Sequence, residues 1–229
     1  MNIVEVTPEE GLGPLNELER KAAAKVFYCR GDVGLLKEPA KVSIVGSRDA
    51  TREGLRRAHQ LAKMLVENSV TVLSGLAKGI DRAAHLAAIK EGGKTIAVLG
   101  NPLNKYYPAE NRDLQEEIAT KHLLVSQFAL GAAGGRKNYP IRNRTMALIS
   151  DATVIVEAKD KSGTLHQGWE ALRLGRPLFL MESIVNNSDV AWPAEMLDYG
   201  AKVLSRENFD ELISFLPTAN REVLASVSL

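Results

Sequence analysis

One cysteine, Cys29, is all that the 229 residues contain. A single thiol excludes an internal disulfide and a cysteine-based zinc site, and makes a reducing compartment the default. Charge of one sign is also lacking. The formal net charge is +1, so no global basic field advertises nucleic acid, although a local patch can do the same work. No apolar run approaches the ~20 residues of a membrane span. The opening Met1-Asn2-Ile3-Val4-Glu5 lacks the basic-then-apolar order of a leader. These absences read as a cytoplasmic protein without a membrane partner. Neither Gly-x-Gly-x-x-Gly nor Gly-Lys-Ser/Thr occurs, which disfavours classical NAD and P-loop ATP use. Histidines 59, 85, 122 and 166 are scattered without ligand spacing. No metal, no cofactor and no catalytic residue is expected.

What is present is a repeated alternation. Apolar runs at 42–45, 70–73, 95–99, 123–125, 152–156, 178–181 and 201–204 alternate with segments of helical periodicity. The runs have no alternating polar face, the pattern of a parallel sheet buried on both sides. The fold class is therefore α/β. Residues 1–40 read as an extension packed on the core, 41–216 as the main domain, and 217–229 as a short tail. The spacing predicts helices over 51–67, with Leu55, Ala58, Leu61, Ala62 and Leu65 facing the sheet, and over 142–149 after a long loop, 126–141.

Ligands on such sheets bind at the C-terminal strand ends, and the glycine-bearing turns fall there. The central one is Ser74-Gly75-Leu76-Ala77-Lys78-Gly79-Ile80-Asp81. Its glycines permit close backbone approach, its helix-opening amides face one way, and Ser74 and Lys78 add a hydroxyl and a cation. It reads as an anion seat, against the plainer reading of a tight turn. Gly46-Ser47-Arg48 and Ser162-Gly163-Thr164 offer further amides and hydroxyls, and Arg48 a bidentate cation. Backbone amides at Gly46, Gly75, Gly79 and Gly163 are expected to meet phosphate. In Tyr139-Pro140-Ile141-Arg142-Asn143-Arg144, two arginines bracket an asparagine beside a ring able to stack on a base. Lys137, Arg142 and Arg144, with Arg136 nearby, make a local basic patch. The competing reading of Arg144 is a pair with Asp151 or Glu157. Asp81 and His85, one helical turn apart, read first as structural and second as an acid–base pair.

In order along the chain, these stretches resemble the DNA-processing protein A family, also called Smf. Those carrying the resemblance are Ser43–Arg48, Ser74–Asp81 with Ala84-His85, Ala97–Gly100, Tyr107–Asn111, Tyr139–Arg144, Val156–Ala158 with Ser162–Thr164, Gly175–Pro177 and Tyr199–Ala201. The resemblance implies an extended Rossmann fold that binds single-stranded DNA without hydrolysis, forms a homodimer and loads a RecA-type recombinase in natural transformation. It implies DNA-facing positions at Gly46, Ser47, Arg48, Ser74, Gly75, Lys78, Gly79, Arg142, Asn143 and Arg144, with Ser162, Gly163 and Thr164 beside them. Residues 1–40 are too short for the family's helical N-terminal domain and 217–229 for its winged helix, so a stripped core is expected. Two other classes share the fold: a small-nucleotide sensor, and lysine-decarboxylase-like nucleotide hydrolases. The hydrolases need a glutamate where this chain has Gln167, and Glu170 falls one turn late.

Overall fold

A computed structural model describes residues 2–217. The expected tail, 217–229, lies outside the described residues apart from its first member. Nine strands form one sheet: β1 (Val4–Val6), β2 (Phe27–Gly31), β3 (Lys41–Gly46), β4 (Thr71–Ser74), β5 (Thr95–Leu99), β6 (Leu123–Ser126), β7 (Ala152–Glu157), β8 (Leu178–Met181) and β9 (Lys202–Leu204). Their order is β1-β2-β6-β5-β4-β3-β7-β8-β9. The seven strands from β6 to β9 pair in parallel. This is a Rossmann-like α/β fold. Residues 1–40, expected as an extension laid against one edge, contribute two antiparallel strands at that edge: Cys29 pairs with Val125 and Val4 with Cys29.

The helices are α1 (Pro8–Leu12), α2 (Glu17–Ala22), α3 (Arg52–Glu67), α4 (Ile80–Lys90), α5 (Arg112–Lys121), α6 (Asn138–Ile149), α7 (Thr164–Arg173), α8 (Glu182–Val185), α9 (Trp192–Asp198) and α10 (Phe209–Ser214). Thr7 caps α1 as its sequence demands: its hydroxyl accepts from the Glu10 amide while Glu10 accepts from the Thr7 amide. On one sheet face Val42, Ile44, Val72 and Val154 pack against Ala58, Leu61 and Leu65 of α3 and Ala84 and Ala88 of α4. Leu114 and Ile118 of α5 continue that face over Leu99 and Leu124. On the other face Ile96, Val98, Leu123 and Val125 meet Met146 and Leu148 of α6. Alternate residues of the parallel strands β3 to β8 thus enter opposite cores, which is why the runs are continuously apolar. Each fully buried Val, Leu, Ile or Met among them stabilises by about 1.5–3 kcal/mol.

Two expectations need correction. Leu55, expected against the sheet, is 38% exposed at the margin of the apolar stripe of α3. Helix α6 starts at Asn138, not at 142, so the loop shortens to residues 127–137. Pro140 falls in its first turn, where amides have no intrahelical acceptor and a missing N–H costs nothing. Among the described residues no helix is long and apolar enough to cross a membrane.

Candidate functional site

Strand β3 is flanked by β4 on one side and β7 on the other, so successive connections diverge there. A crevice opens at the carboxyl ends of strands around such a reversal. Here it is a cleft of about 560 Å³. Its walls come from the turn after β3 (Gly46, Ser47, Arg48), the turn after β7 (Lys159, Ser162, Gly163, Thr164) and the first turns of α6 (Tyr139, Arg142, Asn143).

Arg142 is its central brace. The residue is only 6% exposed. Its Nη1 donates to the carbonyls of Gly75 (2.6 Å) and Val98 (2.8 Å), at the ends of β4 and β5. Its Nε donates to Asn143 Oδ1 at 3.0 Å, and Asn143 Nδ2 donates onward to the Gly163 carbonyl at 3.2 Å. One arginine and one asparagine thus tie β4, β5, α6 and the turn before α7 together. Among the described residues Nη2 has no hydrogen-bond partner, and the side chain lines the cleft. Burial pulls the guanidinium down from its usual range, with the nearby Asp81 carboxylate opposing.

The central turn is not an open anion seat. Asp81 is itself the anion: its Oδ2 accepts from the amides of Gly75 (3.1 Å) and Ala77 (3.3 Å). Burial pushes its carboxyl above the usual carboxylate range, while Arg142 and these amides hold it down. The Gly75 amide is therefore spoken for. Gly75 is glycine for a different reason than ligand approach: a Cβ there would overlap the Arg142 guanidinium. Gly79 has φ +71°, in the left-handed region, and a Cβ would strike the Ser47 carbonyl. The hydroxyl of Ser74 is fully buried and donates to the Ile44 carbonyl at 2.6 Å, so it faces the sheet and not the cleft.

An aromatic platform stands beside the brace. The Tyr139 ring lies 5.1 Å from the Arg48 guanidinium carbon and 5.8 Å from that of Arg142. Tyr107 leans against it, ring centroids 6.1 Å apart, and is itself 55% exposed. Gly100 makes room: a Cβ there would come within 2.9 Å of the Tyr139 ring. Burial raises the Tyr139 phenol above its usual range. A ring flanked by guanidiniums, with a second ring at the rim, offers stacking and cationic contacts at one place.

The family model of DNA recombination-mediator protein A matches residues 8–217. The chain belongs to this family. It is 37% identical over 184 residues to the curated DNA processing protein DprA of Streptococcus pneumoniae, covering 80% of this chain and 64% of that one. The chain thus spans less than two thirds of that relative's length. A solved S. pneumoniae DprA structure superposes with TM-score 0.76 at 31% identity, over 88% of this chain and 71% of that one. A Helicobacter pylori DprA structure, described as revealing a single-stranded DNA binding mode, superposes with TM-score 0.79 at 29% identity, over 94% and 96%.

On this family scaffold the expected residues separate into groups. Gly46, Ser47, Arg48, Arg142, Asn143, Ser162, Gly163 and Thr164 share the cleft. Thr164 closes it locally by donating its hydroxyl to the Gly46 carbonyl at 3.1 Å. Gly75 and Lys78 line a smaller adjoining hollow with Arg48 and Tyr139, and Lys78 pairs there with Glu110 at 2.6 Å. Gly79 lies beyond it, on the α3–α4 side. Lys137 is exposed and lines neither hollow. Arg144 points away: it pairs at 3.4 Å with Glu170 of α7, a partner the sequence reading did not name. Two residues apart on a helix, Arg142 and Arg144 diverge, and α6 starts early enough to hold both in that geometry.

Asp81 and His85 do not form a pair. The Thr95 hydroxyl donates to the Val72 carbonyl, so it accepts from His85 Nδ1 at 2.7 Å, and the buried Nε2 has no partner among the described residues. Burial depresses the imidazole to about 3. Neither Glu157 nor Glu170 faces the cleft. Glu157 accepts from the amide and hydroxyl of Thr51, at 3.0 and 2.5 Å, and Glu170 holds Arg144 and Arg173. Gln167, 1% exposed, lies beneath the cleft. Sequence reasoning missed Tyr107 and Lys159. Lys159 was findable, since it follows β7 at the same strand end as the other turns.

Proposed function

We propose that the cleft binds single-stranded DNA without strong sequence choice, as a binding module and not a catalyst. The observation that carries the reading is the Tyr139 ring on the wall of a strand-end cleft, with the guanidinium carbons of Arg48 and Arg142 at 5.1 and 5.8 Å from its centroid. Unstacked bases would meet the Tyr139 and Tyr107 faces, and phosphates would meet Arg48, Arg136, Lys159 and the free edge of Arg142. A duplex keeps its base faces stacked inside and has nothing to offer the rings. Near-neutral total charge leaves affinity to these few cations. Membership of the recombination-mediator family and the likeness to a DprA described with single-stranded DNA support the same ligand. Among the named positions, Gly46, Ser47, Arg48, Arg142, Asn143 and Ser162–Thr164 are the proposed contact set, and Ser74, Lys137 and Arg144 are left out of it.

The reading extends to a cytoplasmic homodimer that shelters incoming DNA and assists a RecA-type recombinase, with family membership as its support. Absence of turnover is supported by Gln167 where related hydrolases need a carboxylate, and by the engagement of Glu157 and Glu170 elsewhere. The test is fluorescence anisotropy with oligo-dT and with duplex of equal length at two salt concentrations. Tighter, salt-sensitive binding of oligo-dT is expected; equal or preferred binding of duplex overturns the reading. Light scattering at micromolar concentration checks the dimer, which a monomer mass would exclude.

A further inference from the structure

The outer faces of α3 and α4 enclose a second, shallower groove, and the residues along it are unusual for a solvated helix pair. Leu55 and Leu86 stand 38% and 37% exposed in its lining. Arg52 and Arg56 lie on the Leu55 face of α3, and Arg82 one turn before Leu86 on α4. With Arg48 and Lys78 the lining holds five cations against two carboxylates, Asp49 and Glu110. Arg56 is paired with Glu53 and Lys78 with Glu110, whereas Arg52 and Arg82 have no acidic partner among the described residues. Both are exposed.

The groove is also continuous with the cleft. Arg48 and Asp49 line both, and Lys78 joins the groove to the small hollow under Tyr139. A polyanion leaving the cleft on that side therefore meets guanidiniums that have no acidic partner among the described residues, with two leucines in the same lining to receive the apolar edges of sugars and bases. We propose that the single strand bound in the cleft exits over Arg48 and continues along the α3–α4 groove, its phosphates meeting Arg52 and Arg82. The occupant is the same strand, so the inference rests on the reading of the cleft as a single-stranded DNA site and adds to it a path and a footprint. An acidic peptide is the rival occupant. It has the right charge but no reason to be continuous with the cleft.

The test compares dT6, which the cleft alone accommodates, with dT20, which reaches the groove, on wild type and on an Arg52→Ala, Arg82→Ala double variant. Anisotropy is read between 0.1 and 1 M salt, and melting temperature checks the fold. Two lost phosphate contacts lower the salt slope by about 1.4, which over that tenfold salt range is about twenty-fivefold in affinity at the low end. The expected result is that loss for dT20, with dT6 affinity unchanged. A double variant that binds dT20 like wild type overturns the path. So does an equal loss for both lengths, or a wild type that binds dT20 no more tightly than dT6; in each of these the cleft reading stands. A wild type that binds neither oligonucleotide removes the cleft reading and the path with it. Unchanged dT20 binding together with lost binding of a glutamate- and leucine-rich peptide would reassign the groove to a protein partner.

Discussion

Replacing Arg142 with alanine removes a brace and a ligand contact together, and the two effects can be separated. The side chain is 6% exposed, and its Nη1 satisfies the carbonyls of Gly75 and Val98. Each buried acceptor stripped of its donor costs about 1–3 kcal/mol, so the pair costs about 4 kcal/mol. Asp81 also loses its nearest opposing charge, and its carboxyl rises further. Total stability is typically about 5–15 kcal/mol, so the protein folds but with a reduced margin. At about 2–4 °C per kcal/mol for a chain of this size, melting falls by roughly 8–16 °C. Arg48 provides the contrast. It is exposed and its cation lies over the Tyr139 ring, so Arg48→Ala changes stability by no more than about 0.5 kcal/mol. Both variants should lower the salt slope for oligo-dT by roughly 0.7. The assay is thermal melting followed by anisotropy titration well below the lower melting point. An Arg142→Ala protein that melts within 2 °C or so of wild type would refute the brace. An Arg48→Ala protein with an unchanged slope would remove that residue from the phosphate path.

Arg144→Ala should leave oligo-dT affinity and salt slope unchanged, since the side chain is turned to Glu170; a slope reduced by roughly 0.7 would return it to the interface. His85 is buried and held near a pKa of about 3. The unfolded chain takes up that proton near the ordinary value of about 6.5 while the folded one does not, so this contribution is fully present above about pH 6.5 and is lost as pH falls towards 3. At pH 4.5 the loss is about 3 kcal/mol, and urea melts of wild type and His85→Gln should converge in their pH dependence only if another group is responsible. Gly75→Ala should displace the Arg142 guanidinium, cost about 1–3 kcal/mol and weaken oligo-dT binding, whereas unchanged melting and binding would contradict the close packing seen there. Incubation with AMP should release no adenine by chromatography, and release that disappears in Glu157→Gln or Glu170→Gln would move the protein to the hydrolases.

The chain itself determined the architecture. Short continuously apolar runs leave no polar face for solvent, so the strands at 41–46, 71–74, 95–99, 123–126, 152–157 and 178–181 can only lie in a sheet covered on both sides. The glycine-bearing turns follow those runs, so the strand-end location of Gly46, Ser47, Arg48 and Ser162–Thr164 is also written locally. Three-dimensional packing decided what each turn does with its polar groups. Gly75 and Asp81 stand six positions apart, and nothing in that spacing says that the carboxylate folds back onto the Gly75 amide and fills the anion seat. Helix phase separated Arg142 from Arg144, and that phase depended on Pro140 being tolerated in a first turn that starts at Asn138. Val4–Val6 is too short to declare itself as a strand, and Phe27–Gly31, though apolar and extended, gains its antiparallel edge position only once β6 is in place. Tyr107 meets Tyr139 across a long stretch of chain. Local sequence sets periodicity and turn chemistry; which donor meets which acceptor is decided by distances that only the folded sheet brings to hydrogen-bond length.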